Sequence, residues 1–148
     1  MSAENRVLLV EDEASMRRSL EKCLERAGYA FECCSTARDA LALAERLDPD
    51  IVIAEYHLPD ANGAALLEKL TRIVPNVAAI LLSEYDFQAI AEDVLHANVR
   101  SFLKKPFDLV ELEAALSSAR SKVKLTSVEN VQGKVKTEFE SITGSTFK

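Results

Sequence analysis

The chain has 148 residues, 48% of them hydrophobic and 28% charged, with a formal net charge of −6. That length and balance fit one compact domain with a substantial core, and the acidic excess argues against a nucleic-acid-binding surface. No apolar stretch approaches the roughly 18 residues of a membrane span, and Met1-Ser2-Ala3-Glu4-Asn5-Arg6 lacks the apolar core of a signal peptide, so a cytoplasmic protein without membrane contact is expected.

Arg6 to Val10 is a short apolar run that predicts a first strand. Glu11-Asp12-Glu13 then opens a helix carrying Met16, Leu20, Leu24 and Ala27 at helical spacing, and Gly28 supplies a left-handed stop. Tyr29 to Cys34 reads as the second strand. The cysteines (Cys23, Cys33 and Cys34) are odd in number and lack zinc-ligand spacing, so a reduced, structural role is expected. Ser35 or Thr36 can cap a helix through Ala40, Leu41, Ala44 and Leu47, ended by Pro49. Ile51 to Ala54 is continuously apolar and ends at Glu55, as in a strand buried on both faces.

The turn Leu58-Pro59-Asp60-Ala61-Asn62-Gly63 leads into a helix from about Ala64 to Ile73, which stops before Pro75. Val77 to Leu82 is a fourth strand with Ser83 at its end. Asp86 is expected to cap a helix running to about Ala97, with Asn98 in the left-handed terminating role. Arg100 to Leu103 makes a fifth strand, and Asp108 is expected to cap a helix through Leu112, Leu116 and Ala119. Five strands alternating with five helices imply an α/β protein, a three-layer α/β/α sandwich on a parallel sheet with right-handed crossovers.

Such a sheet presents all its strand C-termini along one edge, where open α/β folds bind ligands. Four polar features fall there: Glu11-Asp12, Glu55, Ser83 and Lys105-Pro106. Three converging carboxylates suit a hard, oxygen-seeking cation such as Mg²⁺. A lysine and a hydroxyl opposite them suit a phosphoryl group. Each residue alone reads equally well as a solvated surface group; a set with one member per strand end does not.

Three spaced motifs resemble the receiver domain of two-component response regulators over residues 4–122. Val7-Leu8-Leu9-Val10-Glu11-Asp12-Glu13 resembles the family's acidic-pair strand, and Leu58 to Gly63 resembles its turn after the phosphoacceptor. Phe102-Leu103-Lys104-Lys105-Pro106-Phe107 resembles its lysine-proline signature. The resemblance implies a flavodoxin-like, five-stranded sheet of order 2-1-3-4-5. It makes Asp12 the direct Mg²⁺ ligand, Glu11 a ligand through water, the position of Glu55 part of the metal site, and the His57 backbone carbonyl a further ligand. Ser83 becomes the switch hydroxyl, Phe102 the aromatic switch that reports its position, and Lys105 the partner of the phosphoryl group. A cis Lys105-Pro106 peptide is implied as well.

Two residues depart from the family pattern. Glu55 occupies the position of the phosphoacceptor aspartate, and its extra methylene carries the carboxylate about one bond further into the pocket, where a shift near ~1 Å can cost on the order of 100-fold in rate. Impaired phosphorylation and a weakened Mg²⁺ site are the expectation. The longer acid imitates a phosphoaspartate only in part, bringing one charge where a phosphoryl group brings nearly two. Glu84, where the family usually has a small residue, is expected to narrow the pocket entrance and repel incoming phosphate unless it points to solvent. His57 and His96 read as ordinary surface histidines.

The function expected is a non-enzymatic signalling module. Its implied partners are a histidine kinase or phosphotransfer protein, and an output protein or effector domain bound through the fourth helix, fifth strand and fifth helix. A phosphorylation-competent receiver, or one carrying an engineered phosphomimic, is the alternative that the motifs also admit. A Mg²⁺-dependent phosphatase is remote, because such enzymes place an aspartyl nucleophile after the first strand with another aspartate two residues on, unlike Glu11-Asp12-Glu13. Beyond the domain, Thr126-Ser127-Val128-Glu129 forms a capping-box pattern, and Val128, Val131, Val135, Phe139 and Ile142 recur at spacings of 3, 4, 4 and 3. Residues 123–148 are therefore expected to form an amphipathic helix or a tail, and a homodimer or partner contact if helical.

Overall fold

Five parallel strands form one sheet in order β2-β1-β3-β4-β5 in the computed structural model, which describes residues 6–121. In chain order the elements are β1 (Arg6–Val10), α1 (Ala14–Arg26), β2 (Ala30–Cys34), α2 (Ala37–Leu47), β3 (Ile51–Glu55) and α3 (Gly63–Ile73). They continue as β4 (Ala78–Ser83), α4 (Phe87–His96), β5 (Ser101–Lys104) and α5 (Leu109–Ser121). The expected fold class and strand order are observed. The helix expected over 123–148, and the homodimer contact attached to it, lie outside the described residues.

Strand alternation divides the core between the two faces. Leu8, Val10, Val52, Ala54, Leu81 and Phe102 pack beneath α2, α3 and α4. Val7, Leu9, Ile51, Ile53, Ile80 and Leu103 pack beneath α1 and α5. Every residue of β3 and β4 is buried, which accounts for their unbroken apolar runs.

Most local stop and start signals act as their chemistry predicts. Thr36 Oγ1 accepts from Asp39 N–H at 3.1 Å, and Asn62 Oδ1 accepts from Ala65 N–H at 3.0 Å. Gly28 (φ 84°) and Asn98 (φ 61°) hold the left-handed conformations expected of them. Three details differ. α2 ends on Asp48 in the left-handed region (φ 51°), one residue before Pro49. Ala27 lies outside α1 and is exposed, so the apolar stripe ends at Leu24. Asp86 holds the N-cap position of α4 without a side-chain cap bond; its carboxylate instead meets Lys104 Nζ at 2.6 Å. A full ammonium across the strand end outcompetes a backbone amide for that oxygen.

Candidate functional site

The C-terminal ends of β1, β3, β4 and β5 lie side by side, because register pairs Val10 with Ala54, Glu55 with Leu82, and Ser83 with Lys104. Backbone bonds carry the ladder past the strands: Tyr56 N–H donates to the Leu82 carbonyl, and Lys105 N–H to that of Ser83, both at 2.7 Å. The Lys105-Pro106 peptide is cis. A cavity of about 240 Å³ opens on this edge, lined by Glu11, Asp12, Glu13, Glu55, His57, Glu84, Tyr85 and Lys105.

At its centre, one ammonium joins two buried acids. Glu11 and Glu55 are 1% and 5% exposed. Lys105 Nζ stands 3.1 Å from Glu11 Oε1 and 2.5 Å from Glu55 Oε1. The second oxygen of each acid accepts a backbone N–H two residues on, Glu11 Oε2 from Glu13 at 3.1 Å and Glu55 Oε2 from His57 at 2.7 Å. Glu55 Oε1 has no well-aligned hydrogen bond, so its contact with Lys105 is an ion pair in which charge compensation does the stabilising. All four carboxylate oxygens are thereby engaged within the chain.

Burial pushes the Glu11 carboxyl above its ordinary value, against the opposing pull of the Glu13 N–H and of Lys105. Burial also pulls on Lys105, downward, yet its pairing with Glu55 and Glu11 outweighs that and holds its pKa above the usual 10.5. Cys33 and Cys34 sit apart on β2, where burial pushes Cys33 to about 12 and Cys34 to about 11. Such thiols are poor nucleophiles, in keeping with a structural role.

The remaining sequence candidates fall around this centre. Asp12, His57 and Glu84 are exposed and line the cavity, Glu84 on the loop after β4. Ser83 is fully buried, and its Oγ accepts from Tyr85 N–H at 2.9 Å. Phe102 is 1% exposed and meets Phe87 of α4 edge-on, ring centroids 6.2 Å apart. His96 is exposed at the end of α4, away from the cavity.

The cavity does not fit a resident Mg²⁺. Among the described residues no group of three or more His, Cys, Asp and Glu side chains is arranged to hold a metal ion. Of the set expected from the sequence (Glu11, Asp12, Glu55 and the His57 carbonyl), Glu11 and Glu55 are already engaged by Lys105 and by backbone amides. An octahedral ion would have to displace those donors while standing beside an ammonium.

Three site features escaped sequence reading. Tyr56 Oη donates to Asp93 Oδ2 at 2.8 Å, tying the loop after β3 to α4, and no local signal announces a pair 37 residues apart. Asp60 accepts from Ala37 and Arg38 N–H at 2.8 and 3.0 Å, capping α2 from a distant turn, and those bonds hold its carboxyl below the ordinary value. Gly63 lies so close to the Glu55 backbone carbonyl that a Cβ there would overlap it. The glycine was visible in the turn motif; the close approach that requires it was not.

The response regulator receiver domain family matches residues 7–117. The chain is 33% identical over 113 residues to the chemotaxis protein CheY of Thermotoga maritima, a match covering 76% of this chain and 94% of that protein. It is 30% identical over 119 residues to the regulatory protein AtoC of Escherichia coli, covering 80% of this chain but only 26% of that longer protein. Among solved structures, the signal receiver domain of an HD domain-containing protein from Pseudomonas fluorescens superposes with a TM-score of 0.76 at 27% identity, over 80% of this chain and 96% of the other.

Proposed function

The chain belongs to the response regulator receiver family, and we propose that it is a receiver impaired in phosphorylation, which signals by contact through its α4-β5-α5 face. Receiver domains are signalling modules that typically bind Mg²⁺ at the acceptor position and work with histidine kinases and output domains. In this chain Glu55 stands at that position. The carrying observation is the engagement of both its oxygens, Oε1 by Lys105 at 2.5 Å and Oε2 by the His57 N–H at 2.7 Å. In-line attack on phosphorus needs a free carboxylate oxygen with metal and lysine placed to neutralise the transferring oxygens. Here the nucleophile and the lysine neutralise each other, and Glu84 adds negative charge where the donor must enter.

The switch elements support a receiver held in one arrangement. Ser83 is engaged by its own loop, and Phe102 is packed inside against Phe87. Exposed apolar side chains at the start of α5, Leu109 and Val110, offer a partner something to bury. The partners fitting this reading are a kinase or phosphotransfer protein that docks without efficient transfer, and an output protein or effector domain; neither requires the chain to be an enzyme. No helix among the described residues is long and apolar enough to cross a membrane.

The test is incubation with acetyl phosphate and MgCl₂, followed by intact mass measurement of the wild-type chain beside Glu55→Asp. The wild type is expected to remain unmodified and the aspartate variant to gain one phosphoryl group. A stable adduct on wild-type Glu55 would overturn the reading.

A further inference from the structure

We infer that Lys105 is the resident cation of the acidic cavity, so that the domain reaches its working conformation without a divalent ion. Two carboxylates this deeply buried need a positive counter-charge, since an unpaired buried charge has lost its hydration with nothing in return. The chain supplies that charge itself. The ammonium lies 3.1 Å from Glu11 and 2.5 Å from Glu55, reaching the first from a position 94 residues away in sequence. The two oxygens it does not serve are taken by the Glu13 and His57 amides. A second cation stands behind the strand end, where Arg17 Nη1 donates to the Glu11 carbonyl at 2.8 Å.

The length of Glu55 makes this arrangement self-sufficient. Its carboxylate spans from the His57 amide to the Lys105 ammonium, and an aspartate there would be one methylene shorter. Mg²⁺ binds at about 2.0–2.1 Å with near-octahedral demands and sheds water reluctantly. To bind here it would have to expel Lys105 or strip the two backbone amides. The exposed Asp12, Glu13 and Glu84 attract cations of every kind, but exposed charges provide screened, salt-sensitive attraction and not coordination. The inference does not depend on how the domain signals, and it predicts a metal response opposite to the one its family would show.

The experiment compares thermal unfolding of the full chain in millimolar MgCl₂ with unfolding in EDTA plus KCl of matched ionic strength, for wild type, Lys105→Met and Glu55→Asp. An amide NMR titration with MgCl₂ accompanies it. Wild type is expected to show the same Tm in both buffers and no saturable shifts at residues 11–13 and 55–57. Lys105→Met is expected to become Mg²⁺-dependent, its Tm rising by several degrees as the ion replaces the lost ammonium. Glu55→Asp should bind Mg²⁺ about tenfold or more tightly than wild type. Saturable Mg²⁺ binding by wild type overturns the inference, and so does a folded Lys105→Met chain whose Tm ignores Mg²⁺. Should Lys105→Met fail to fold in either buffer, the wild-type titration alone decides. A phosphoryl adduct on a wild type that is silent to Mg²⁺ would sink the proposed function and leave this inference standing; Mg²⁺ binding without an adduct would do the reverse.

Discussion

α4 and α5 cover opposite faces of β5, one over Phe102 and the other over Leu103, yet they are secured by different means. α5 carries its own start signal: Asp108 Oδ1 accepts from Glu111 N–H at 2.8 Å while Glu111 Oε1 accepts from Asp108 N–H at 2.9 Å, a reciprocal capping box. α4 has no side-chain cap, and its backbone leaves helical geometry at Ile90 (φ −123°, ψ 15°). What holds α4 comes from elsewhere in the fold. Tyr56 Oη and Asn62 Nδ2 both reach Asp93 Oδ2, at 2.8 and 3.5 Å, from the loop that follows Glu55. Lys104 reaches Asp86 from the end of β5. The comparison teaches that α5 is fastened by its own sequence and α4 by the cavity loops, so a change at the cavity is expressed in α4 first.

Alkaline titration is expected to produce the largest effect on that contrast. The folded-state pKa of Lys105 lies above its ordinary 10.5, so its contribution to stability is complete below pH 10.5 and is lost as pH rises through the higher folded value. Losing one partner of a buried pair costs about 3–5 kcal/mol when complete. Denaturant unfolding followed by circular dichroism should show a steep fall in stability over that window in wild type. Lys105→Met should show a smaller fall, the remainder coming from the raised thiols of Cys33 and Cys34, and an equal fall in the variant would remove Lys105 as the cause.

Gly63→Ala comes next, at about 1–3 kcal/mol, the usual scale of overpacking. The added methyl meets the Glu55 carbonyl and must displace the loop that bears Tyr56. Hydrogen exchange should then show α4 losing protection more than α5. Equal loss in both helices would break the comparison.

The finest discrimination comes from a matched pair of substitutions. Asp108→Ala removes half of the α5 capping box at a cost of about 1 kcal/mol, and fraying should stay within the first turn of α5. Tyr56→Phe removes a hydroxyl bound to a carboxylate, ~0.5–1.5 kcal/mol at a partly exposed site, and should loosen α4 around Asp93 without touching α5. Exchange rates that moved in the opposite helix in either variant would show that the two share one cooperative unit.

What the sequence by itself determined was everything that depends on neighbours along the chain. Unbroken apolar runs marked β3 and β4 as doubly buried, Thr36 and Asn98 began and ended their helices, and strand-helix alternation required a parallel sheet whose acids and lysine share one edge. Which donor each oxygen would take was decided only by the tertiary structure. Asp86 left its helix for Lys104, Asp60 capped a helix 22 residues or more away, and Glu11 and Glu55 closed on Lys105 where a metal ion was expected. The physical reason lies in the range of the forces involved. Backbone conformation responds to adjacent residues, whereas a buried charge takes the best counter-charge that packing brings within reach, however distant in the chain.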